Sequence, residues 1–361
     1  MNVWIANHIF DFPETHIFAL LPGLGFNVTA FHAPDMPEWK VKMLEAGGVE
    51  CVVLPFRSRL DFRATRLMRR ELEKRPCDLI YGTINKPLAT ALRAVRDRPE
   101  IKVVGYRGTM GHISHWDPAA WMTYLNPRLD HIVAISNAVR DFLISQIGIP
   151  PEKVTRIYKG HGLEWYENQK LASPLPEAKK GAVTILFSGL IRPVKGVEYL
   201  LDAMELLPRD LNVRLLLVGA ISEKAMERHI TEMCRTDDRV VWTGFRDDAT
   251  AIAGMVDVLA MPTVEREGLS RAVIESMAQG VPAIVSNVGG LPEIVEDGVS
   301  GIVVPPRDAV ALAGAIRSLA EDAEKRARFG RAARERIRTH FDCRKSAEDF
   351  AALFRRLTGK Q

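Results

Sequence analysis

Short apolar runs rich in valine, isoleucine and leucine alternate with amphipathic stretches along the whole chain. Seven runs before residue 165 have the composition of β-strands: VWIA, NVTAFHA, ECVVLP, DLIYGT, KVVGYR, HIVAIS and VTRIY. Six follow later: VTILFSG, VRLLLVGA, VVWTGF, DVLAMPT, PAIVSN and GIVVPP. Several are apolar almost throughout, which is typical of parallel strands covered on both faces. With helices predicted between them, the pattern indicates an α/β fold of repeated βαβ units in two doubly wound parallel sheets.

A polar segment separates the two sets of strands. It reads ENQKLASPLPEAKKGA, contains prolines and lacks apolar periodicity, so we interpret it as a linker. The predicted organisation is an N-terminal domain over residues 1–165, a linker over 166–181, a C-terminal domain over 182–341 and a helix over 342–361. The apolar side of that last helix carries Phe350, Leu353, Phe354 and Leu357. We expect this side to pack back towards the N-terminal domain, because an apolar face must be buried.

Composition excludes several other classes of protein. A content of 47% hydrophobic and 26% charged residues is typical of a soluble globular protein. No apolar run approaches the roughly 20 residues that span a bilayer, and the start, NVWIAN, lacks the features of a secretory signal. The four cysteines are scattered without a CxxC pair, which argues against a zinc site or a disulfide framework. We therefore expect a cytoplasmic location.

The excess of positive over negative charge is confined to the N-terminal half. Residues 1–165 contain 21 Lys and Arg against 17 Asp and Glu, whereas residues 166–361 contain 28 of each. Much of the excess lies in RSRLDFRATRLMRRELEKRP, which is predicted to be a helix that ends at Pro76. One stripe of that helix carries Arg59, Arg63, Arg66 and Arg70, and another carries Leu60, Ala64 and Leu67. The stripe is either a solvated face or a docking surface for an anionic membrane or an acidic acceptor. No nucleic-acid recognition motif accompanies it.

Two glutamates near residue 270 suggest a ligand site. Ser270 is predicted to begin a helix, so that Glu267 lies in the loop before it and Glu275 lies inside it. Free amides at Gly268 and Leu269 would attract an anion such as a sugar diphosphate. Glu275 can accept hydrogen bonds from a ribose diol, and Glu267 can hold sugar hydroxyls or stabilise positive charge on a sugar ring. The alternative is a loop acid followed by a solvated helix acid.

Two further turns rich in glycine precede helices. The first, in FSGLIRPVKGVEYLLDAM, follows a strand at Gly189 and carries Arg192 and Lys195. These two cations can clamp phosphates where a departing diphosphate gains charge, unless they are simply solvated. The second turn, in VGGLPEIVEDG, is interpreted either as another helix start of the same kind or as a compact turn.

These segments together resemble a known family. The retaining glycosyltransferases of family four carry a signature similar to EGLSRAVIESMAQGVPAIVSNVGGLPEIVEDGVSGIVVPP, with seven residues between its two glutamates. Their donor-phosphate turn is similar to SGLIRPVKG, their N-terminal acceptor-side loop to FPETHI, and the end of their first domain to IVAISNAVRDFLISQIGIPPEKVTRIYKG. The resemblance covers nearly the whole chain. It implies the GT-B fold, in which two Rossmann-like domains face each other across a cleft.

The resemblance also assigns roles to matching residues. Glu275 would bind the ribose of a nucleotide-diphosphate sugar such as a UDP- or GDP-sugar, and Glu267 would bind the transferred sugar. Lys195 occupies the position of a phosphate-binding lysine of the family. His112 is close in sequence to the position where the family has a histidine that touches the donor sugar; the alternative for His112 is a structural role. The remaining donor-binding positions are Gly189 and the amides of Gly268, Leu269 and Ser270. The family requires no metal and no other cofactor.

Two positions depart from the family pattern. Leu190 stands where the family often has arginine, and Arg192 is the expected substitute. The segment YKGHG stands where the family usually reads Asn-Gly-Val-Asp, so Lys159 is expected to add a charge near the diphosphate. His112 and His115 form an HxxH pair, but two ligands alone do not predict a metal site.

The leading hypothesis is a retaining glycosyltransferase that uses a nucleotide-diphosphate sugar and a glycan or lipid-linked acceptor. It would act in bacterial cell-surface glycan synthesis (lipopolysaccharide, capsule or glycolipid), in the cytoplasm or peripherally on the inner face of the membrane. The acceptor is expected to bind the N-terminal half. One alternative is a nucleotide-sugar epimerase of the same fold, which needs no acceptor. The other is a catalytically silent module that binds sugar nucleotides or membranes.

Overall fold

The computed structural model describes residues 1–360 as two α/β units. The N-terminal unit comprises Met1–Gly160 and the segment that begins at Asp342, and the C-terminal unit comprises His161–Phe341. The division therefore falls after Gly160, slightly before the sequence-based boundary at residue 165. The segment interpreted as a linker belongs to the C-terminal unit and precedes its first strand.

The described part of the N-terminal unit contains one parallel sheet. Its strands are β1 (Asn2–Ala6), β2 (Asn27–His32), β3 (Glu50–Val53), β4 (Leu79–Gly82), β5 (Lys102–Arg107), β6 (His131–Ala134) and β7 (Val154–Arg156). Their order in the sheet is β3-β2-β1-β4-β5-β6-β7. The helices are α1 (Phe12–Ala19), α2 (Glu38–Ala46), α3 (Phe62–Lys74), α4 (Asn85–Ala94), α5 (Pro118–Trp121), α6 (Asn137–Ser145) and, at the C-terminal end of the chain, α14 (Cys343–Thr358). Every strand coincides with an apolar run that the sequence predicts.

The C-terminal unit contains a second parallel sheet. Its strands are β8 (Val183–Ser188), β9 (Val213–Val218), β10 (Val240–Gly244), β11 (Val258–Met261), β12 (Ala283–Ser286) and β13 (Gly301–Val304), in the order β10-β9-β8-β11-β12-β13. The helices are α7 (Val197–Leu206), α8 (Lys224–Thr236), α9 (Ala249–Ala253), α10 (Arg271–Ala278), α11 (Leu291–Ile294), α12 (Ala309–Glu321) and α13 (Ala323–His340). The predicted fold of two doubly wound parallel sheets is confirmed.

The strand order explains where a ligand can bind in the C-terminal unit. β8 lies between β9 and β11, so the chain connections leave β8 and β11 towards opposite sides of the sheet. Open parallel sheets bind ligands outside the carboxyl ends of strands at such a switch point. The turn at Gly189 directly follows β8, and the loop with Glu267 directly follows β11. Two segments that lie far apart in the sequence are thus brought to one edge of the sheet.

Helix α14 packs against the N-terminal unit. The ring of Phe350 lies 5.7 Å from the ring of Phe18 and 5.2 Å from that of Tyr81. The ring of Phe354 lies 6.0 Å from Tyr81 and 6.3 Å from Phe26. These aromatic contacts bury the apolar side of α14 in the core of the N-terminal unit.

The basic helix is shorter than the sequence predicts. Asp61 caps α3 by accepting a hydrogen bond from the Ala64 amide at 2.8 Å, so Arg59 and Leu60 precede the helix. Leu60 is therefore exposed, contrary to its predicted place on an apolar stripe. The side chains of Arg63, Arg66 and Arg70 remain on the exposed face of α3, beside the exposed ring of Phe62.

Within residues 1–360, none of the helices is both long enough and apolar enough to cross a bilayer.

Candidate functional site

Helix α10 begins at the edge of the C-terminal sheet with an uncapped N-terminus. Ser270 occupies the N-cap position, as predicted, but its side chain makes no capping hydrogen bond. The first turn of α10 also contains no acidic residue. The amides and dipole at this end of the helix are therefore not balanced by its own capping groups. Gly268 and Leu269 lie in the loop immediately before this helix end.

An ion pair joins Lys195 to Glu267 beside that helix end. The Lys195 Nζ lies 2.5 Å from Glu267 Oε2, and both side chains are mostly buried. Thr263 Oγ1 donates a hydrogen bond to the same carboxylate oxygen at 3.1 Å. The sequence assigned these residues to separate parts of a ligand, and the structure brings them into direct contact.

The turn that carries Lys195 is held against the loop that carries Glu267. The Val264 amide donates a hydrogen bond to the Val194 carbonyl oxygen at 3.0 Å. Gly196 has a φ of 65°, and a Cβ at this position would overlap the carbonyl oxygen of Pro262. Only glycine fits this approach without strain, because the conformation is left-handed and there is no space for a side chain. The Lys195–Glu267 pair therefore depends on Gly196.

The glycine turn after β12 supports the same loop. The Gly290 amide donates a hydrogen bond to the Glu267 carbonyl oxygen at 3.1 Å. Arg266, directly before Glu267, has a φ of 59°, which is a strained conformation for a residue with a side chain. The segment VGGLPEIVEDG is therefore a supporting turn that fixes the backbone at Glu267.

Glu275 lies inside α10 with both carboxylate oxygens engaged. Its Oε1 lies 3.0 Å from Arg271 Nε, and its Oε2 accepts a hydrogen bond from Thr250 Oγ1 at 3.2 Å. Its side chain is only 14% exposed. Burial raises the pKa of Glu275, while Arg271 and the Thr250 hydroxyl act in the opposite direction. The sequence predicted the position of Glu275 but not these two partners.

A cavity of about 440 Å³ opens at this edge of the sheet. Its wall includes Gly189 and Leu190 after β8, Phe245 after β10, Thr250 of α9 and Arg271 of α10. The backbones of Gly189 and Gly219 lie so close that a Cβ at Gly219 would overlap the Gly189 carbonyl oxygen. Glu275 is not in the wall itself, but both of its partners are. Two of the strands predicted from the sequence end at Gly189 and Phe245, which both line this cavity. These strand ends could have indicated its position, because carboxyl ends of parallel strands lie at one edge of a sheet.

Arg192 lies at the edge of the same turn. It occupies the position before the short 3₁₀ turn Pro193–Lys195, and its side chain is exposed. Leu190 is half exposed and lines the cavity. Whether Arg192 replaces a phosphate-binding cation at Leu190 stays a prediction.

Lys159 belongs to a cluster in the N-terminal unit. Its Nζ lies 2.6 Å from Asp11 Oδ2 and 3.0 Å from Glu14 Oε1, and it lies 4.7 Å from the centre of the Tyr106 ring. Asn7 Nδ2 donates a hydrogen bond to Glu14 Oε2 at 2.9 Å. Lys159 and Glu14 are 145 residues apart in the chain, so no local pattern could predict their contact.

The charges of this cluster depend on one another. Burial raises the pKa of Glu14, and Lys159 partly offsets that effect. Burial alone would lower the pKa of Lys159, but Glu14, Tyr106 and Asp11 raise it well above its usual value. The positive charge of Lys159 is therefore balanced by two carboxylates, and its role near a diphosphate stays a prediction.

His112 lies in an exposed loop after β5 of the N-terminal unit, with a φ of 56°. The buried Arg107 side chain shapes this loop by donating hydrogen bonds to the carbonyl oxygens of Thr109 and Gly111. His115 donates through Nε2 to the Ile147 carbonyl oxygen at 2.8 Å. Among residues 1–360, no group of three or more His, Cys, Asp or Glu side chains is arranged to hold a metal ion.

Comparison with known protein families accounts for both units. The family described as Glycosyltransferase Family 4 matches residues 15–165, and the family described as Glycosyl transferases group 1 matches residues 170–336. Each unit thus matches a glycosyltransferase family model, and the two matches together cover most of the chain.

Curated relatives of this chain have names that differ in the products they mention. It is 28% identical over 163 residues to the N-acetyl-alpha-D-glucosaminyl L-malate synthase of Bacillus anthracis, covering 45% of this chain and 42% of that protein. It is 25% identical over 231 residues to the capsular polysaccharide biosynthesis glycosyltransferase CapM of Staphylococcus aureus, covering 62% of this chain and 60% of CapM. The chain thus spans about half the length of these curated relatives.

The fold is shared with solved GT-B-type structures. HepE of Anabaena, solved in complex with UDP, aligns with a TM-score of 0.77 at 21% identity, covering 98% of each chain. HepE has also been solved in complex with UDP-glucose. At this level of identity the likeness shows the fold of this chain and not its ligand.

Proposed function

We propose that this protein is a retaining glycosyltransferase that moves a sugar from a nucleoside diphosphate sugar to an acceptor hydroxyl. The observation that carries the proposal is the Lys195–Glu267 ion pair at the uncapped start of α10. A cation, a set of helix amides and a carboxylate converge at the switch point of a parallel sheet. This combination suits a ligand that contains both a diphosphate and a sugar.

The reaction depends on stabilising the leaving diphosphate. As the bond between the sugar C1 and the β-phosphate oxygen breaks, negative charge grows on that oxygen. Lys195 and the amides at the start of α10 are fixed donors for this charge, and Arg192 is a further candidate. Glu267 is suited to hold sugar hydroxyls or to stabilise the positive charge that develops on the ring. Glu275 is suited to bind the ribose diol.

Retention follows if the acceptor approaches from the face that the diphosphate leaves. A bond forms between the acceptor oxygen and C1, and the acceptor proton passes to the departing phosphate oxygen. No protein base is needed for this proton, since the leaving group accepts it. His112 is proposed to touch the donor sugar.

The acceptor is proposed to be a glycan or a lipid-linked sugar that binds the N-terminal unit. Similarity to CapM, a capsular polysaccharide biosynthesis glycosyltransferase, supports a cell-surface product. Among residues 1–360, no acidic side chain forms an ion pair with Arg63, Arg66 or Arg70 of α3, and Phe62 beside them is 71% exposed. Unpaired arginines next to an exposed aromatic ring suit the anionic inner face of a cell membrane, to which we propose that the protein binds peripherally.

Replacement of Glu267 by Gln tests the proposed function. A panel of UDP-, GDP- and ADP-sugars is supplied without acceptor, so that water accepts the sugar, and the released sugar is followed by NMR. We expect the wild type to release a sugar whose configuration at C1 is initially that of the donor. The Glu267→Gln variant should turn over about a hundredfold more slowly, because the carboxylate acts on charge that develops in the transition state. Its affinity for the nucleoside diphosphate should change little.

The matched control is Glu265→Gln, which changes a half-exposed glutamate in the same loop that pairs with Arg266. Normal turnover of Glu267→Gln would show that Glu267 has no catalytic role. A product of inverted configuration would exclude retention. Conversion of the nucleotide sugar into its epimer, or no turnover of any donor, would favour one of the two alternative functions.

A further inference from the structure

Arg271, the first residue of α10, projects at the wall of the 440 Å³ cavity. Its side chain is 63% exposed, and its ion pair with Glu275 at 3.0 Å spans one turn of the helix. Glu275 is mostly buried, but the guanidinium of Arg271 reaches it from the solvent side, so Arg271 can turn to another anion without being drawn out of the core.

The other charged groups of the wall are less available. Arg246 is held by Asp248 through two contacts of 2.8 and 2.6 Å, and these hydrogen bonds lower the pKa of Asp248 to about 2. Asp247 is negatively charged and Leu190 is uncharged, so neither side chain of the wall can form an ion pair with an anionic ligand. Arg271 is therefore the cation of this wall that is held least firmly.

The proposed ribose contact requires Glu275 to change partners. Its Oε1 is engaged by Arg271 and its Oε2 by Thr250, so a ribose diol must displace at least one of them. Displacement of Arg271 releases a guanidinium at the N-terminus of α10, where a positive side chain opposes the helix dipole. An anion bound there removes this conflict, and a guanidinium matches the geometry of phosphate oxygens.

We propose that Arg271 exchanges Glu275 for the diphosphate of the donor when the nucleotide binds. This inference rests on the proposed function, because it assumes that Glu275 binds the ribose. The exchange couples the two halves of the ligand: the ribose frees the guanidinium, and the diphosphate engages it. A nucleoside without phosphate also breaks the Arg271–Glu275 ion pair, but it has no anionic group with which the freed guanidinium can pair.

The test compares UDP with uridine by isothermal titration on the wild type and on Arg271→Gln. Loss of the guanidinium should weaken UDP binding about tenfold, the effect of one charge-assisted hydrogen bond. Uridine affinity should stay the same or rise, because Glu275 no longer has to release Arg271. Arg271→Lys, which retains the charge, should fall between the wild type and Arg271→Gln for UDP. If GDP, ADP or dTDP binds better than UDP, that nucleotide and its nucleoside replace the pair.

The control is Arg317→Gln, which breaks an ion pair of the same i,i+4 spacing between Arg317 and Glu321 on the exposed face of α12. It should leave both affinities unchanged. Equal affinities in the wild type and Arg271→Gln would overturn the exchange while leaving the proposed function intact. An equal loss for UDP and uridine would overturn it as well, since Arg271 would then only maintain the shape of the pocket. If the wild type binds no nucleoside diphosphate, the proposed function itself fails. If Glu275→Ala binds UDP normally, the ribose contact of Glu275 fails and the exchange fails with it.

Discussion

Removal of the Lys159 ammonium should destabilise the N-terminal unit strongly. In Lys159→Met the carboxylate of Glu14, whose residue is 6% exposed, keeps its buried position without its cation. Breaking a buried ion pair in this way costs about 3–5 kcal/mol. We expect about 3 kcal/mol, the lower end, because Asp11 is 41% exposed and the cluster is not fully dry. For a unit of this size, the melting temperature should fall by about 6–12 °C.

The stability lost in Lys159→Met should increase as the pH rises from about 4.3 to neutral. Without Lys159, burial raises the pKa of Glu14 with little opposition. A carboxyl whose pKa is raised by folding stabilises the fold below its unfolded pKa of about 4.3, and this contribution is lost as the pH rises through the folded pKa. The deficit of Lys159→Met should therefore be small near pH 4.3 and largest at neutral pH. In the wild type, the raised pKa of Lys159 keeps its stabilising contribution until strongly alkaline pH.

Thermal and urea unfolding at several pH values measure this effect. Lys159→Met combined with Glu14→Gln should recover much of the lost stability, because the amide needs no cation. Lys42→Met removes an exposed lysine that pairs with Glu38, and it should change stability by less than about 0.5 kcal/mol. The reasoning fails if Lys159→Met is as stable as Lys42→Met, or if the double variant is no better than the single one. UDP titration of Lys159→Met tests its predicted contact with the diphosphate.

Two further predictions concern the loop geometry and the basic surface. Gly196→Ala should lose clearly more stability than Gly298→Ala, because both have a left-handed φ (65° and 71°) but only the first meets a backbone oxygen. A left-handed residue with a side chain costs both variants about 1–2 kcal/mol of folding stability. Donor turnover should fall only in Gly196→Ala. Equal stability in unfolding assays and equal turnover of the two variants would contradict this reasoning. Replacement of Arg63, Arg66 and Arg70 by Ser should abolish sedimentation with phosphatidylglycerol vesicles while nucleotide affinity is retained. Unchanged sedimentation would show that α3 is only a solvated helix.

The strands were predictable because their apolar runs are set by burial in parallel sheets. β9, for example, is buried at all six of its positions, so its sequence contains almost no polar interruption. The start of α3 was predicted wrongly because helical spacing continued through Arg59 and Leu60. The Asp61 cap, which ends that continuity, is a local signal that outweighs periodicity.

The candidate site was only partly predictable. The positions of Glu267, Glu275 and Lys195 follow from loops after strands and from a helix start. The distant partners, Lys195 for Glu267 and Thr250 for Glu275, do not follow, because they lie in other segments of the chain. Lys195 and Glu267 meet only since β8 and β11 are neighbours, and Thr250 reaches Glu275 from a different helix. A single sequence contains no direct record of which strands are adjacent.

The return of α14 to the N-terminal unit has a consequence for synthesis on the ribosome. Residues 1–160 are made before α14, but the aromatic surface formed by Phe18 and Tyr81 is covered only when Phe350 and Phe354 pack on it. The whole C-terminal unit is made in between. During that interval the N-terminal unit carries an open apolar surface, so a helix made after the C-terminal unit closes the core of the N-terminal unit.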